Sequence, residues 1–244
     1  MRPGNDGQWK PGPPETGRAA EHSGEPESVD EEAPPYERLQ KRIADGFPAN
    51  YLTIIAIIEG VALGVALTAA YQNLQAPGSD LDRATVVAQV LAVLTGIIST
   101  THLYILLTIL YRWPPTIFDT LIPYGLGVGS IAAGLTIGHD AAWTASACFY
   151  GVMAVLAFLH TGLRSGPSGI DGVVTRQSYR RTIVIQSLIC SIVLVPAIAL
   201  TFLEAGDIGP QWISLVPPCI FGISGVSVTW VGQREANRIY KSYG

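Results

Sequence analysis

The sequence predicts an all-α polytopic membrane protein of six transmembrane helices with both termini cytoplasmic. Three observations predict it. Six apolar stretches each exceed the ~20 residues needed to cross about 30 Å of hydrocarbon. None shows the alternation of a membrane barrel strand, so helices are the spanning element. Of the 15 Lys and Arg residues, only Arg83 falls in a loop on the outer side of this topology, and cytoplasmic loops retain basic residues during insertion.

The chain opens on a polar segment, residues 1–35, rich in Pro, Gly and Glu. Such a segment buries too little apolar surface to offset its ordering entropy, which predicts a disordered cytoplasmic tail. Through Glu37 it carries nine acidic residues against Arg2, Lys10 and Arg18. The overall net charge of -4 therefore hides an acidic tail and a slightly basic remainder. In residues 36–47, Tyr36, Leu39, Ile43 and Phe47 recur at helical spacing, with Arg38, Lys41 and Arg42 on other sides. That pattern predicts a short amphipathic helix in the headgroup region, closed by a break at Pro48.

The six-helix domain is expected over 48–232, followed by a short cytoplasmic tail, 233–244. Its first span, about 50–72, carries Glu59, with Ala56, Ala62, Ala66 and Ala70 on the same face. The second, about 84–111, carries a polar stripe of Thr95, Ser99 and His102. The third, about 115–137, starts with Asp119 and contains Pro123. The fourth, about 141–163, ends near His160. The fifth, about 182–203, carries Gln186 and Pro196, and the sixth, about 210–231, carries Pro217 and Pro218. The tight connections Arg112–Pro114 and Gly138–Asp140 predict that spans two, three and four are sequential antiparallel neighbours. Trp113 and Trp230 are expected at the inner membrane surface, Trp143 and Trp212 at the outer one. The pairs Gly60/Gly64, Gly125/Gly129 and Gly134/Gly138 are expected to mark helix contacts within the bundle, with a homo-oligomer face as the alternative.

Candidate chemistry lies in ionisable residues at membrane depth. Glu59 and His102 each sit about nine residues, roughly 13 Å, from the cytoplasmic ends of their spans. A carboxylate at a helix centre costs on the order of 2.5–3.5 kcal/mol on insertion scales, so it seeks a partner. The expected partner is His102, as an ion pair or a bonded acid and neutral imidazole; the alternative is a structural hydrogen bond between two helices. Asp119, His160 and Gln186 form a second layer nearer the cytoplasm, with Arg112 or Arg164 as alternative partners for Asp119. On the outer side Asp80, Asp82, Asp140, Glu204 and Asp207 give an acidic mouth. Pro123 and Pro217–Pro218 fall at matching places in two inverted halves, a pattern that points to hinges beside a transporter site.

These features predict a small secondary transporter or channel for a cation or proton-coupled solute. The alternative is a non-enzymatic membrane anchor whose tail and basic loop recruit a cytoplasmic protein partner. No phosphate loop, HExxH, GxSxG or CxxC pattern is present, so no enzyme activity, cofactor or metal is expected. His102 and His160 are offset by roughly 9 Å in depth, too far for one haem iron. Cys148, Cys190 and Cys219 read as small packing residues. The lipid bilayer is the expected partner, and nucleic acid is not. With the first apolar run near residue 50, no cleavable signal is expected. An inner-membrane location in a bacterium is expected, from Arg outnumbering Lys and the Ala, Gly and Val content.

Overall fold

Six long helices and one short 3-10 turn make up most of the described residues of this chain, seen in a computed structural model. Residues 35–110, 117–164, 176–206 and 210–243 are described. The chain divides into residues 1–38 and a second unit, residues 39–244, which holds the bundle. The helices are α1 (Pro35–Gln75), α2 (Asp80–Leu110), α3 (Ile117–Leu135), α4 (Asp140–Arg164), α5 (Arg176–Ala205) and α6 (Val216–Tyr243), with a 3-10 turn at Gln211–Leu215 before α6. No strand occurs among the described residues. The tail before residue 35, the side-chain pattern of 36–47, the Arg112–Pro114 connection, most of the basic loop and Asp207 lie outside the described residues.

All six helices are long and apolar enough to cross a membrane, over Asn50–Gln75, Asp80–Leu106, Ile117–Leu135, Asp140–Gly162, Arg180–Glu204 and Gln211–Arg238. Their outward sides carry large apolar residues such as Ile57, Ile98, Ile192, Val195 and Phe202. A water-exposed surface rarely tolerates that much contiguous apolar area, whereas lipid does.

Local sequence explains the boundaries. Between α1 and α2, Asp82 accepts from the Ser79 amide at 2.7 Å, and the Ser79 hydroxyl accepts from the Asp82 amide at 3.2 Å. This reciprocal cap satisfies amides that have no partner inside the helix. Gly138 closes α3 with a φ of 86°, a conformation open to glycine and costly for other residues. One expectation about proline fails. α1 continues through Pro48, where a break was expected. Pro217 and Pro218 occupy the first turn of α6, just after the 3-10 turn, where their missing amides cost nothing. Pro123 sits inside α3 and Pro196 inside α5, each removing one amide from the helical hydrogen-bond ladder.

The most extensive pairings are α4 with α5, α2 with α6, and α3 with α4. The contact of α2 with α3 is slight, so sequential neighbourhood holds for α3 and α4 but not for α2. The reason lies in the small residues of α6: Gly222 lets the α2 backbone at Ala92 approach, and Gly225 faces Thr95 and Ser99. The core is built from three apolar clusters. One joins Ala66, Val93, Ala133, Ile137 and Trp143; a second joins Leu106, Phe158, Ile183 and Val228; a third joins Tyr51, Ile55, Tyr104 and Leu126.

Glycine positions separate tight contacts from open ones. At Gly129 a Cβ would stand 2.9 Å from Tyr150 Cβ and 3.0 Å from its Cα, so α3 and α4 touch there backbone to side-chain root. Gly134 similarly meets the backbone of Ala62 and Ala66 on α1. Gly60 and Gly64, by contrast, face open space with nothing within 4 Å of a Cβ; this pair makes no helix contact inside the bundle, contrary to expectation. Gly129→Ala is expected to cost about 1–3 kcal/mol through overpacking, read as a lower thermal midpoint in detergent. Gly60→Ala should leave the midpoint unchanged or raise it, since alanine is the better helix former by about 1 kcal/mol. Equal effects of the two substitutions would contradict this packing.

Candidate functional site

Helices α2 to α6 surround a cavity of about 120 Å³. Its wall on α4 runs from Trp143 through Tyr150, Ala154 and Phe158 to Thr161. These residues recur every three or four positions, so one face of a single helix supplies them all. The span from Trp143 to Thr161 covers 18 positions, about 27 Å of helix rise. The wall is largely apolar, and no Asp, Glu, Lys, Arg or His lines it.

Hydroxyl groups in the wall bond to the wall itself. Tyr150 donates to the Gly96 carbonyl at 3.0 Å and accepts from Thr100. Ser99 donates to the Gly225 carbonyl at 3.0 Å, and the Thr229 hydroxyl lies 2.8 Å from Ser99 Oγ. Thr161 donates to Ala157 O at 2.7 Å. Trp143 differs. It is 1% exposed, packs edge-on against Phe221 at 6.1 Å between ring centroids, and its Nε1 has no hydrogen-bond partner. The sequence suggested a tryptophan at the outer membrane surface; the structure instead turns it into the bundle. Trp212 and Trp230 are well exposed, while Trp113 lies outside the described residues.

Glu59 stands behind the cavity wall. It is 5% exposed, and its carboxyl hydrogen-bonds with Ser130, a lining residue of α3. Tyr104 and Tyr150, both lining residues, lie within its electrostatic reach. Its Oε2 has no hydrogen-bond partner. Of the alanines expected on its face, Ala62, Ala66 and Ala70 are buried but Ala56 is exposed.

No hydrogen bond or ion pair joins Glu59 to His102; the Nε2 of His102 is buried and has no partner. The depths match, but the directions differ. His102 shares a face of α2 with Thr95 and Ser99, and that face packs on α6 through Gly225. Glu59 meets α3 instead. Periodicity correctly places the stripe on one face, yet it carries no information about which helix lies opposite.

Asp119 and His160 do meet. His160 Nε2 lies 3.1 Å from Asp119 Oδ1, with Asp119 buried and His160 half-buried. The adjacent Phe118 ring stands 5.7 Å from the imidazole. The Tyr51–Tyr104 pair, edge-to-face at 5.2 Å, lies within electrostatic reach of Asp119. Gln186 donates to the Val228 carbonyl at 3.2 Å and so clamps α5 to α6. Arg112, and the side chain of Arg164, lie outside the described residues.

At the far end of the bundle a polar network links the helix termini. Gln89, fully buried, donates to Asp140 at 3.0 Å and accepts from the Gly138 amide at 2.8 Å. Asn73 donates to the Ile137 carbonyl at 2.9 Å, and the Thr85 and Ser214 hydroxyls stand 3.3 Å apart. Asp140 is thus engaged in fastening helices together. Sequence reading missed this network and the role of Trp143. The signal for the cavity was present in the spacing of Trp143, Ala147, Tyr150, Ala154, Ala157 and Thr161. Among the described residues no three His, Cys, Asp or Glu side chains converge as a metal site. The chain matches no known family, no curated protein and no solved structure.

Proposed function

We propose that this chain is a multi-pass protein of a bacterial cytoplasmic membrane, with both termini cytoplasmic, that carries a proton-coupled, uncharged solute through its bundle. The observation that supports this reading is a cavity walled by five helices with a buried acid directly behind it. Glu59 reaches the wall through Ser130. An intramembrane carboxyl group with a partner on one side only is suited to taking up and releasing a proton as the helices move. The lining carries no charge, which favours a neutral solute over a cation, because a desolvated cation needs carbonyls or carboxylates around it. Asp119 and His160 form the second proton-handling pair, toward the proposed cytoplasmic face, and Pro123, inside α3, with Pro217 and Pro218, in the first turn of α6, are the flexing points.

The test is uptake by proteoliposomes containing the full chain. A panel of radiolabelled uncharged solutes, from short amides to long-chain esters, is offered under an inward proton gradient. At least one solute should accumulate above protein-free liposomes, and a protonophore should remove that accumulation. Uptake of none, or uptake indifferent to the protonophore, refutes the proposal.

A further inference from the structure

One outward stripe of α6 changes character along its length. Ile223, Val226 and Trp230 are well exposed, and Arg234, Arg238 and Lys241 are exposed beyond them. Spacings of three and four residues put all six on one side of the helix. The aliphatic part, from Ile223 to Trp230, rises about 10 Å, and the basic part extends about 16 Å further, to Lys241. Aliphatic, then amphipathic ring, then cation is the order met along a phospholipid from its acyl chains to its headgroup.

The ring and the first cation are in contact. The Arg234 guanidinium carbon stands 5.5 Å from the centroid of the Trp230 ring, within cation–π range. A guanidinium stacked this way uses its face and keeps its N–H edge for a two-point bond to a phosphate. Arg234 has no ion-pair partner among the described residues, whereas Arg238 stands 3.9 Å from Glu235. The Arg234 charge is therefore not neutralised within the bundle.

Helix α5 brings further positive charge to the same level. Gln186 bonds to the Val228 carbonyl, and Ile183 shares a cluster with Val228 and Ala236. That register sets Arg180 and Arg181, about one turn earlier on α5, beside the last turns of α6. Both are exposed.

We propose that the Trp230–Arg234 step of α6 binds one anionic phospholipid, with its phosphate on the Arg234 guanidinium and its acyl chains along Val226 and Ile223. A soluble phosphate would leave the aliphatic half of the stripe unused, so the occupant is a membrane lipid. The site is separate from the cavity and stands whether or not the bundle carries a solute.

The test is native mass spectrometry of the full chain from neutral detergent, with equal amounts of phosphatidylglycerol and phosphatidylcholine bearing identical acyl chains. One phosphatidylglycerol per chain should be retained in preference to phosphatidylcholine. Arg234→Gln should weaken its retention about fivefold, the effect of one basic residue beside anionic lipid. Trp230→Leu, which keeps the stripe apolar but removes the stack, should weaken it about two- to fivefold. Arg83→Gln removes the same charge at the opposite end of the bundle and should change nothing. Equal retention of the two lipids overturns the proposal. So does equal weakening by Arg234→Gln and Arg83→Gln, because net charge alone would then account for binding.

Competition separates the lipid from its headgroup. Glycerol phosphate at the same concentration should leave the bound phosphatidylglycerol in place, and displacement would overturn the assignment to a lipid. A thermal melt of the unmodified chain needs no variant to fold. Phosphatidylglycerol should raise the midpoint above its value in phosphatidylcholine, and high salt should shrink that difference by screening. Identical midpoints in the two lipids at low salt overturn the proposal.

Discussion

Glu59→Gln removes proton-gradient-driven uptake in proteoliposomes down to the level of protein-free vesicles, while the folded bundle survives. The amide matches the carboxyl in size and keeps a hydrogen-bonding group toward Ser130, but it has no proton to release. Packing along Ile55, Ala62 and Ala66 is untouched, so the thermal midpoint should shift by no more than about 1 kcal/mol of stability. His102→Ala sharpens the result. Because His102 makes no bond to Glu59, gradient dependence should persist in that variant, whereas a Glu59–His102 centre would lose it. Gradient-driven uptake that survives Glu59→Gln undiminished would sink the assignment of Glu59 as the proton carrier.

Gly138→Ala is the substitution expected to cost the most stability. The glycine sits at φ 86°, where an L-residue pays about 1–2 kcal/mol in backbone strain. A Cβ there would also overlap the Asn73 carboxamide. Asn73 would have to turn away, breaking its bond to the Ile137 carbonyl, and the Gly138 amide would shift from Gln89. Together these terms amount to roughly 2–4 kcal/mol. Thermal unfolding in detergent measures the loss, and combining the substitution with Asn73→Ala isolates its steric part. The double variant should recover some stability relative to Gly138→Ala alone, because only the strain persists. A Gly138→Ala protein as stable as the parent would show that the turn adopts another conformation.

The helical spans were legible in the sequence because length and apolarity decide them. Ser79 and Asp82 signal the start of α2 through a capping pattern, and Gly138 signals the end of α3. Partner choice among helices was not legible. The stripe of Thr95, Ser99 and His102 had to face something, but only the small residues of α6 decide that it faces Gly225. Trp143 shows the same limit from another side. A tryptophan near a span end reads as an interfacial anchor, and nothing local distinguishes that from a tryptophan turned inward against Phe221. Asp119 and His160, each near the same end of adjacent antiparallel spans, were easier: connection length alone makes α3 and α4 neighbours. Proline was read too simply at Pro48, through which α1 continues without a break.

The network around Gln89 sets how often that end of the bundle can gape. Four hydrogen bonds cross there, from Asn73 to Ile137, Gln89 to Asp140, Gly138 to Gln89, and Thr85 to Ser214. At ~0.6 kcal/mol each, the average for interhelical bonds in a membrane protein, breaking all four takes roughly 2.4 kcal/mol. That makes the gaping form rarer than the fastened one by about sixtyfold at rest. On those terms this end of the bundle is shut nearly all the time at the α3–α4 turn, and the gaping form is present in fewer than about two molecules per hundred.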